Sequence, residues 1–390
     1  MHSHSYLNTV QAIVSDYDGS IPFSAWLKQF FRAHKKFGSK DRKYITHASY
    51  CFYRLGNAFQ DLNIEQRIVT GLFLCSESSN KILEEVKPAW NQIISLPPSE
   101  KINYLSAISE IQKLFPLPLD ISSEIEFQKF NLSFLLQPNL YLRIRPGREK
   151  KVLAQLQNAG IDSGLLSDDC IELSNQSKID QVLKIDEDVV IQDYNSQRTI
   201  DLFQNSRLKP QNRKLSAWDC CAASGGKSIL LHDYFPNTEL TVSDVRQSIL
   251  INLQKRFKRA GVKNFDWFVA DVASPRFSIQ RKFDLIICDA PCSGSGTWSR
   301  TPEQLVFFKQ DKINHYSNLQ KKIVSNASKA LKQNGSFLYI TCSVFKKENE
   351  EVVEYITTKL PLQLQSMNYL KGYDKKADTL FAALFTSFFE

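Results

Sequence analysis

Leu215-Ser216-Ala217-Trp218-Asp219-Cys220-Cys221-Ala222-Ala223-Ser224-Gly225-Gly226-Lys227-Ser228 is the stretch that decides how this chain folds. Residues 215–220 form a short apolar run of strand length, and a turn of small residues follows. Four more strand-like runs lie downstream, at 240–243, 267–270, 283–288 and 336–340. Helical stretches separate them, most clearly 246–259 and 314–332. Strands alternating with helices imply parallel βαβ units, so the expected fold is an α/β, Rossmann-like, doubly wound and mostly parallel sheet. Such sheets bind ligands outside the carboxyl ends of their strands.

The chemically potent residues fall at those ends. The first run closes in the turn quoted above, the second in Asp244 and the third in Asp271. The fourth closes in Asp289-Ala290-Pro291-Cys292-Ser293-Gly294-Ser295-Gly296, and the fifth in Thr341-Cys342-Ser343. Five successive strands ending in Asp, Gly or Cys are hard to explain as packing.

Gly225-Gly226-Lys227-Ser228 is not a phosphate loop, because position 221 is cysteine where that motif needs glycine. Nor does a G-x-G-x-x-G fingerprint follow the first run. What remains is a turn of small residues that lets backbone approach a ligand, with Asp244 about where a ribose hydroxyl is held in such folds. That suits S-adenosylmethionine; a nucleotide site of another kind is the alternative. Cys288 and Cys292 have a spacing unlike a usual zinc pair, with no histidine nearby, and no metal is expected. Cys288 lies inside an apolar strand and reads as core. Cys292 and Cys342 both follow strand ends, and two thiols facing one cleft suggest covalent catalysis.

Working outward, residues 1–110 have apolar positions at helical spacing. Trp26, Leu27, Phe30 and Phe31 make one buried stripe, with Lys28, Arg32, Lys35 and Lys36 on a neighbouring face. Through residue 60 there are eight basic residues against three acidic ones, which is either a solvated surface or a site for a polyanion. Residues 141–145 alternate like a strand, 149–159 are helical in character, and 189–191 form a further apolar run, together a small α+β insert. The whole chain of 390 residues carries 49 Lys and Arg against 41 Asp and Glu, a net +8 that favours a polyanionic partner. Its length implies two or three domains. With 43% hydrophobic and 23% charged residues it is not a mostly disordered chain. Eight cysteines in a chain this long point to thiol chemistry, metal or plain core filling more than to a disulfide framework. No uncharged apolar run approaches ~18 residues, and His2-Ser3-His4-Ser5-Tyr6 lacks the pattern of a secretory signal. The expectation is a soluble, cytoplasmic protein with no membrane partner.

These motifs resemble the Sun/Fmu family of RNA (cytosine-5) methyltransferases, which includes the RsmB-type ribosomal RNA enzymes. Residues 221–228 resemble the family's C-A-A-P-G-G-K-T cofactor loop, with Ser224 in place of proline. Residues 289–294 match its strand-four motif unchanged, and Thr341-Cys342-Ser343 followed by Glu348-Asn349-Glu350 matches its nucleophile motif. Gln192-Asp193-Tyr194-Asn195-Ser196-Gln197 is similar to the Q-D-x-x-S-Q that opens the catalytic domain, and Arg300, Pro302, Glu303 and Gln320 also fit. The likeness is strong over 186–350 and weaker elsewhere. Leu142-Arg143-Ile144-Arg145 resembles the L-R-V-N of the family's RNA-binding insert, with Arg145 for asparagine. Asp378-Thr379-Leu380-Phe381 stands where many members have D-G-F-F, and Asp41-Arg42-Lys43 and Tyr53-Arg54 are faintly similar to a NusB-type helical domain. The expected domains are therefore 1–125, helical, basic and RNA-binding, of NusB type on that likeness; 126–185, a small α+β RNA-binding subdomain; and 186–390, the Rossmann-like catalytic domain.

The resemblance implies an S-adenosylmethionine-dependent enzyme that methylates carbon 5 of a cytosine in RNA, with small-subunit (16S) ribosomal RNA the leading target. It implies Cys342 as nucleophile, Cys292 in product release and Asp289 as a contact to the base. Cys221, Ala222, Ala223, Ser224, Gly225, Gly226, Lys227, Asp244, Asp271 and Asp289 are the implied cofactor-binding residues. Lys227 alternatively reads as a surface helix lysine. The alternatives for the whole protein are a transfer RNA methyltransferase or a non-catalytic RNA-binding assembly factor of the same fold. A DNA cytosine methyltransferase would use Cys292 as nucleophile, and the second cysteine, Cys342, favours RNA. RNA is the expected partner, and a monomer the expected state.

Overall fold

Strands of five to eleven residues, the central ones largely apolar, build the main sheet of the computed structural model, which describes residues 3–203 and 214–388. His2 of the opening stretch, and 204–213 and 389–390 of the range 186–390, lie outside the described residues. The chain divides into two compact units, residues 1–137 with 297–310, and residues 138–296 with 311–390.

The first unit is helical. In the helix Phe23–Ala33, residues Phe23, Leu27 and Phe31 recur every four positions and are the ones fully buried. Trp26 and Phe30, expected in the same stripe, are only half-buried, because they lie off the inward-facing line of the helix. They stack on each other at 5.5 Å, and Phe30 stacks on His34 at 4.2 Å. Lys28, Arg32, Lys35 and Lys36 are exposed. Helix Ile64–Cys75 starts in a capping box, Asn63 accepting from the Gln66 N–H and the Gln66 side chain from the Asn63 N–H. The buried Arg54 guanidinium donates to the carbonyls of Phe134 and Leu136 and to Gln137. Residues 297–310 contribute Trp298, which stacks on Phe115, and Glu303, which accepts from the Phe23 N–H. Arg300, Pro302 and Glu303 thus belong to this unit.

The second unit holds two sheets. Strands β1 (Leu140–Ile144), β2 (Ser163–Ser167), β3 (Cys170–Leu173) and β4 (Val189–Ile191) form an antiparallel sheet in the order β2-β3-β1-β4. Helix Glu149–Asn158 covers it through Val152 and Leu156. The larger sheet contains β5 (Leu215–Asp219), β6 (Thr238–Asp244), β7 (Phe265–Val269), β8 (Phe283–Asp289), β9 (Leu331–Thr341), β10 (Leu362–Leu370) and β11 (Leu380–Ser387). Its order is β10-β11-β9-β8-β5-β6-β7, parallel from β9 to β7 and antiparallel through β11 and β10.

Side chains alternate between the two faces. Ala217, Leu285, Ile287, Leu338 and Ile340 pack on the side of helices Gly226–Tyr234 and Gln247–Ala260. Trp218, Ile286, Cys288, Phe337 and Tyr339 pack on the side of Asp311–Ala327 and Glu350–Lys359. Both faces are covered, which is why these strands read as apolar runs. The helix expected to reach residue 332 stops at Ala327, and β9 starts at Leu331, earlier than expected, because Leu331 already pairs with Phe283. The chain crosses to opposite faces on either side of β5, so the switch point of the sheet lies between β5 and β8.

Candidate active site

At that switch point the turns after β5, β8 and β9 converge. The Sγ atoms of Cys292 and Cys342 lie 3.2 Å apart, and both residues are half-buried. A polar frame fixes each of them. On the β9 side, Thr341 Oγ1 donates to Asn349 Oδ1 at 2.6 Å, and Asn349 Nδ2 donates to the Ser343 carbonyl at 2.8 Å. One asparagine therefore grips both neighbours of Cys342. On the β8 side, the Ser293 N–H donates to Glu348 Oε2 at 2.8 Å, and Gln320 Nε2 bridges the Pro291 carbonyl and Glu348. Gly296 closes the pair of turns: its N–H donates to the Cys342 carbonyl, and a Cβ there would stand 2.0 Å from the Thr379 carbonyl oxygen. Only glycine fits.

The hydrogen bond between the sulfurs is the first cause that raises the Cys292 thiol well above its ordinary value, with burial second. The Cys292 thiol thus keeps its proton, 3.2 Å from the Cys342 sulfur. Lys227 Nζ donates to Asp289 Oδ2 at 2.7 Å, with only 13% of the lysine side chain exposed. Burial lowers the ammonium's pKa, but the Asp289 carboxylate, with Cys342 and Asp219 behind it, outweighs burial and leaves it raised. Lys227 is no surface lysine; it is a buried cation beside the thiol pair.

The turn after β5 forms a cradle of backbone. Ala223 and Gly225 are left-handed, with φ of 46° and 83°, and helix Gly226–Tyr234 begins at once. A Cβ on Gly225 would meet Phe257 at 2.8 Å and Leu253 at 2.9 Å, so the helix behind the turn demands glycine. Asp244 at the end of β6 accepts from the Ala223 N–H at 3.0 Å and from the Arg246 backbone and guanidinium. Arg246 is 58% exposed, whereas the Asp244 side chain is 7% exposed. A buried carboxylate beside an open turn of small residues fits an adenosine ribose. Asp271 is exposed and accepts from the Ala273 N–H.

Two neighbours were not singled out by sequence. Asp219, fully within the core, receives a bond from Ser228, and burial foremost lifts its carboxyl to about 7. The sulfurs of Cys220, Cys221 and Cys288 lie within 4.8 Å of one another, close enough for a soft metal ion to span. Bonds from Cys220 and Cys288 hold Cys221 down to about 5, while burial first of all raises Cys220. The fully buried Cys288 is core, as its strand pattern implies. Asn349 and Glu348 had appeared only as part of a motif. Their role needed the bonds to Thr341 and Ser293, which bring residues from separate loops together.

Residues 205–379 match the family described as 16S rRNA methyltransferase RsmB/F. Ribosomal RNA small subunit methyltransferase B of Xanthomonas campestris pv. campestris is 32% identical over 171 residues, 43% of this chain and 37% of that protein. This chain spans about half the length of the curated relatives it matches. The crystal structure of PH0851 superposes with a TM-score of 0.71 at 18% identity, covering 99% of each chain. NSun6 from Pyrococcus horikoshii, solved with SFG, superposes at 0.57 with 14% identity, over 68% of this chain and 95% of that one.

Proposed function

We propose, from the match of residues 205–379 to the RsmB/F methyltransferase family, that this protein methylates carbon 5 of a cytosine in RNA, with 16S ribosomal RNA the first target to try. The observation that carries the reading is the pair of sulfurs 3.2 Å apart beside the Lys227–Asp289 ion pair. Carbon 5 of cytosine is a poor nucleophile, and a thiolate added at carbon 6 turns it into an enamine carbon. Cys342 is the attacking sulfur. Lys227 supplies positive charge beside it, and Asn349 holds its backbone on both sides. Asp289 contacts the base near ring nitrogen 3, and the Lys227 ammonium paired with it offsets the negative charge that grows on the ring as the adduct forms. Cys292, kept protonated, takes part in the proton movements that release the product.

Residues 221–227 and Asp244, with Asp271, would hold S-adenosylmethionine, which would supply an electrophilic methyl group. The left-handed turn, the Asp244 carboxylate and the SFG of NSun6, an S-adenosylmethionine analogue, support that assignment. The target base must leave its stack to reach the thiols. The exposed Lys28, Arg32, Lys35 and Lys36 are the RNA clamp. Incubation with S-adenosylmethionine labelled in its methyl group tests the reading. Label is expected in RNA, as 5-methylcytosine. Label in DNA alone, or in neither, contradicts it.

A further inference from the structure

We infer that Arg256, held by Asp186, is a positioning residue for the cofactor loop and does for Ser224 from outside what a proline ring does from within. The inference rests on reading that loop as the S-adenosylmethionine site. Proline fixes φ near −65° and stiffens the turn it occupies. The family's loop has that ring, and this chain has Ser224, set between the left-handed Ala223 and Gly225. Something else must hold the turn.

Arg256, on helix Gln247–Ala260, does so with a single nitrogen. Its Nη1 donates to the Ser224 carbonyl and to Ser224 Oγ, both at 3.0 Å. The rest of the guanidinium is anchored: Nε and Nη2 donate to Asp186 Oδ1 at 2.9 and 2.8 Å. Arg259 takes the other oxygen, Nε at 3.1 Å and Nη2 at 2.7 Å. Forked contacts of this kind fix direction as well as distance.

Asp186 is an unusual anchor. It is fully buried, and its φ of 70° is left-handed in a residue that is not glycine. Such backbone persists where the surroundings over-determine it, and it concentrates at functional positions. Its N–H donates to the Val189 carbonyl at 2.7 Å, and its carbonyl accepts from Arg145 Nη1 at 3.2 Å. Arg145 in turn pairs with Asp233 at 2.6 Å. Ser224 and Arg145 are both departures from the family's pattern, one in the cofactor loop and one in the insert. Both are tied to one residue, Asp186, Arg145 directly and Ser224 through Arg256. A purely structural tie between the insert and the main sheet would be served by Arg145 and Arg259 and would not need a nitrogen on Ser224.

The comparison of Arg256→Ala with Arg259→Ala tests this, since both remove a partner of Asp186 and only one touches the loop. Calorimetry should find S-adenosylmethionine bound about five- to fiftyfold more weakly by Arg256→Ala, the range expected for charge-assisted hydrogen bonds that are partly open to solvent. Arg259→Ala should bind as the unaltered protein does. Thermal unfolding without cofactor should move alike for the two. Adding Ser224→Pro to Arg256→Ala should restore most of the lost affinity. Equal affinities for the two alanine variants would overturn the inference, as would a Ser224→Pro/Arg256→Ala protein that binds no better than Arg256→Ala. Failure of the unaltered protein to bind S-adenosylmethionine would instead bring down the reading of the site, and the inference with it.

Discussion

Two groups of thiols lie at the carboxyl ends of β5, β8 and β9, and their surroundings differ more than their distances do. Cys292 and Cys342 sit in turns, 3.2 Å apart, inside a frame of Ser293, Glu348, Gln320, Thr341 and Asn349. Cys220 and Cys288 sit within or just beyond strands, beside Cys221 and against Trp218, Ile286 and Val272. The first group has backbone clamped by side chains from other loops and a buried ammonium nearby. The second has apolar neighbours and other sulfurs. Nearness of sulfur to sulfur is common to both, so it cannot by itself make a thiol reactive. Placement beyond the strand end and a rigid polar frame are what distinguish the first group.

The largest expected effect is on Cys342. Cys342→Ala should reduce methyl transfer by at least about a thousandfold while S-adenosylmethionine still binds. Measurable turnover above a few per cent in this variant would erase the distinction between the groups.

Asp219, the last residue of β5, gives a pH test. Its folded-state pKa is about 7 against an ordinary 3.8, so the folded protein keeps a proton that the unfolded chain releases. Its contribution to stability therefore falls as pH rises from about 4 to about 7. Asp219→Asn should gain on the unaltered protein across that window by on the order of 2–4 kcal/mol, read from denaturant unfolding at both pH values. Parallel stabilities at pH 4 and pH 8 would place the ionised carboxylate comfortably in the fold, against the burial seen here.

A tenfold to hundredfold loss of turnover is expected for Asn349→Ala, a range typical of groups that act through positioning. Cofactor affinity should hold, because the bonds lost are those to Thr341 and Ser343. Unchanged turnover would mean the polar frame does not matter. The smallest effect belongs to Cys288→Ala: a stability loss of about 1 kcal/mol and near-normal turnover. A variant that folds, binds cofactor and fails to methylate would promote the buried group to a working role.

Much of this architecture is legible in the residues. Strands β5 and β8, at the centre of the parallel sheet, are buried on both faces and so read as apolar runs. Strand β10 has the alternation of a strand in Leu362-Gln363-Leu364-Gln365, yet it is an exposed edge and β11 pairs with it only through a hairpin, so neither was foreseen. Strand β2 is exposed along its length and carries no pattern at all. The inclusion of residues 297–310 in the helical unit depends on contacts such as Trp298 on Phe115, which no local signal announces. In the site, the strand-end position of the cysteines and aspartates is a sequence property. The partners that hold them are not: Lys227 and Asp289 are separated by 62 residues, and Arg256 and Ser224 by 32.

The account turns on which sulfur attacks and which releases, and one denaturing gel of the unaltered protein, Cys342→Ala and Cys292→Ala with RNA and S-adenosylmethionine addresses that directly. Cys292→Ala keeps the attacking thiol and lacks the one implied in release. It should accumulate a covalent protein–RNA species that survives denaturation, and Cys342→Ala should form none. A trapped adduct in Cys342→Ala with none in Cys292→Ala would reverse the two roles, and normal turnover of both variants would reduce the pair to packing.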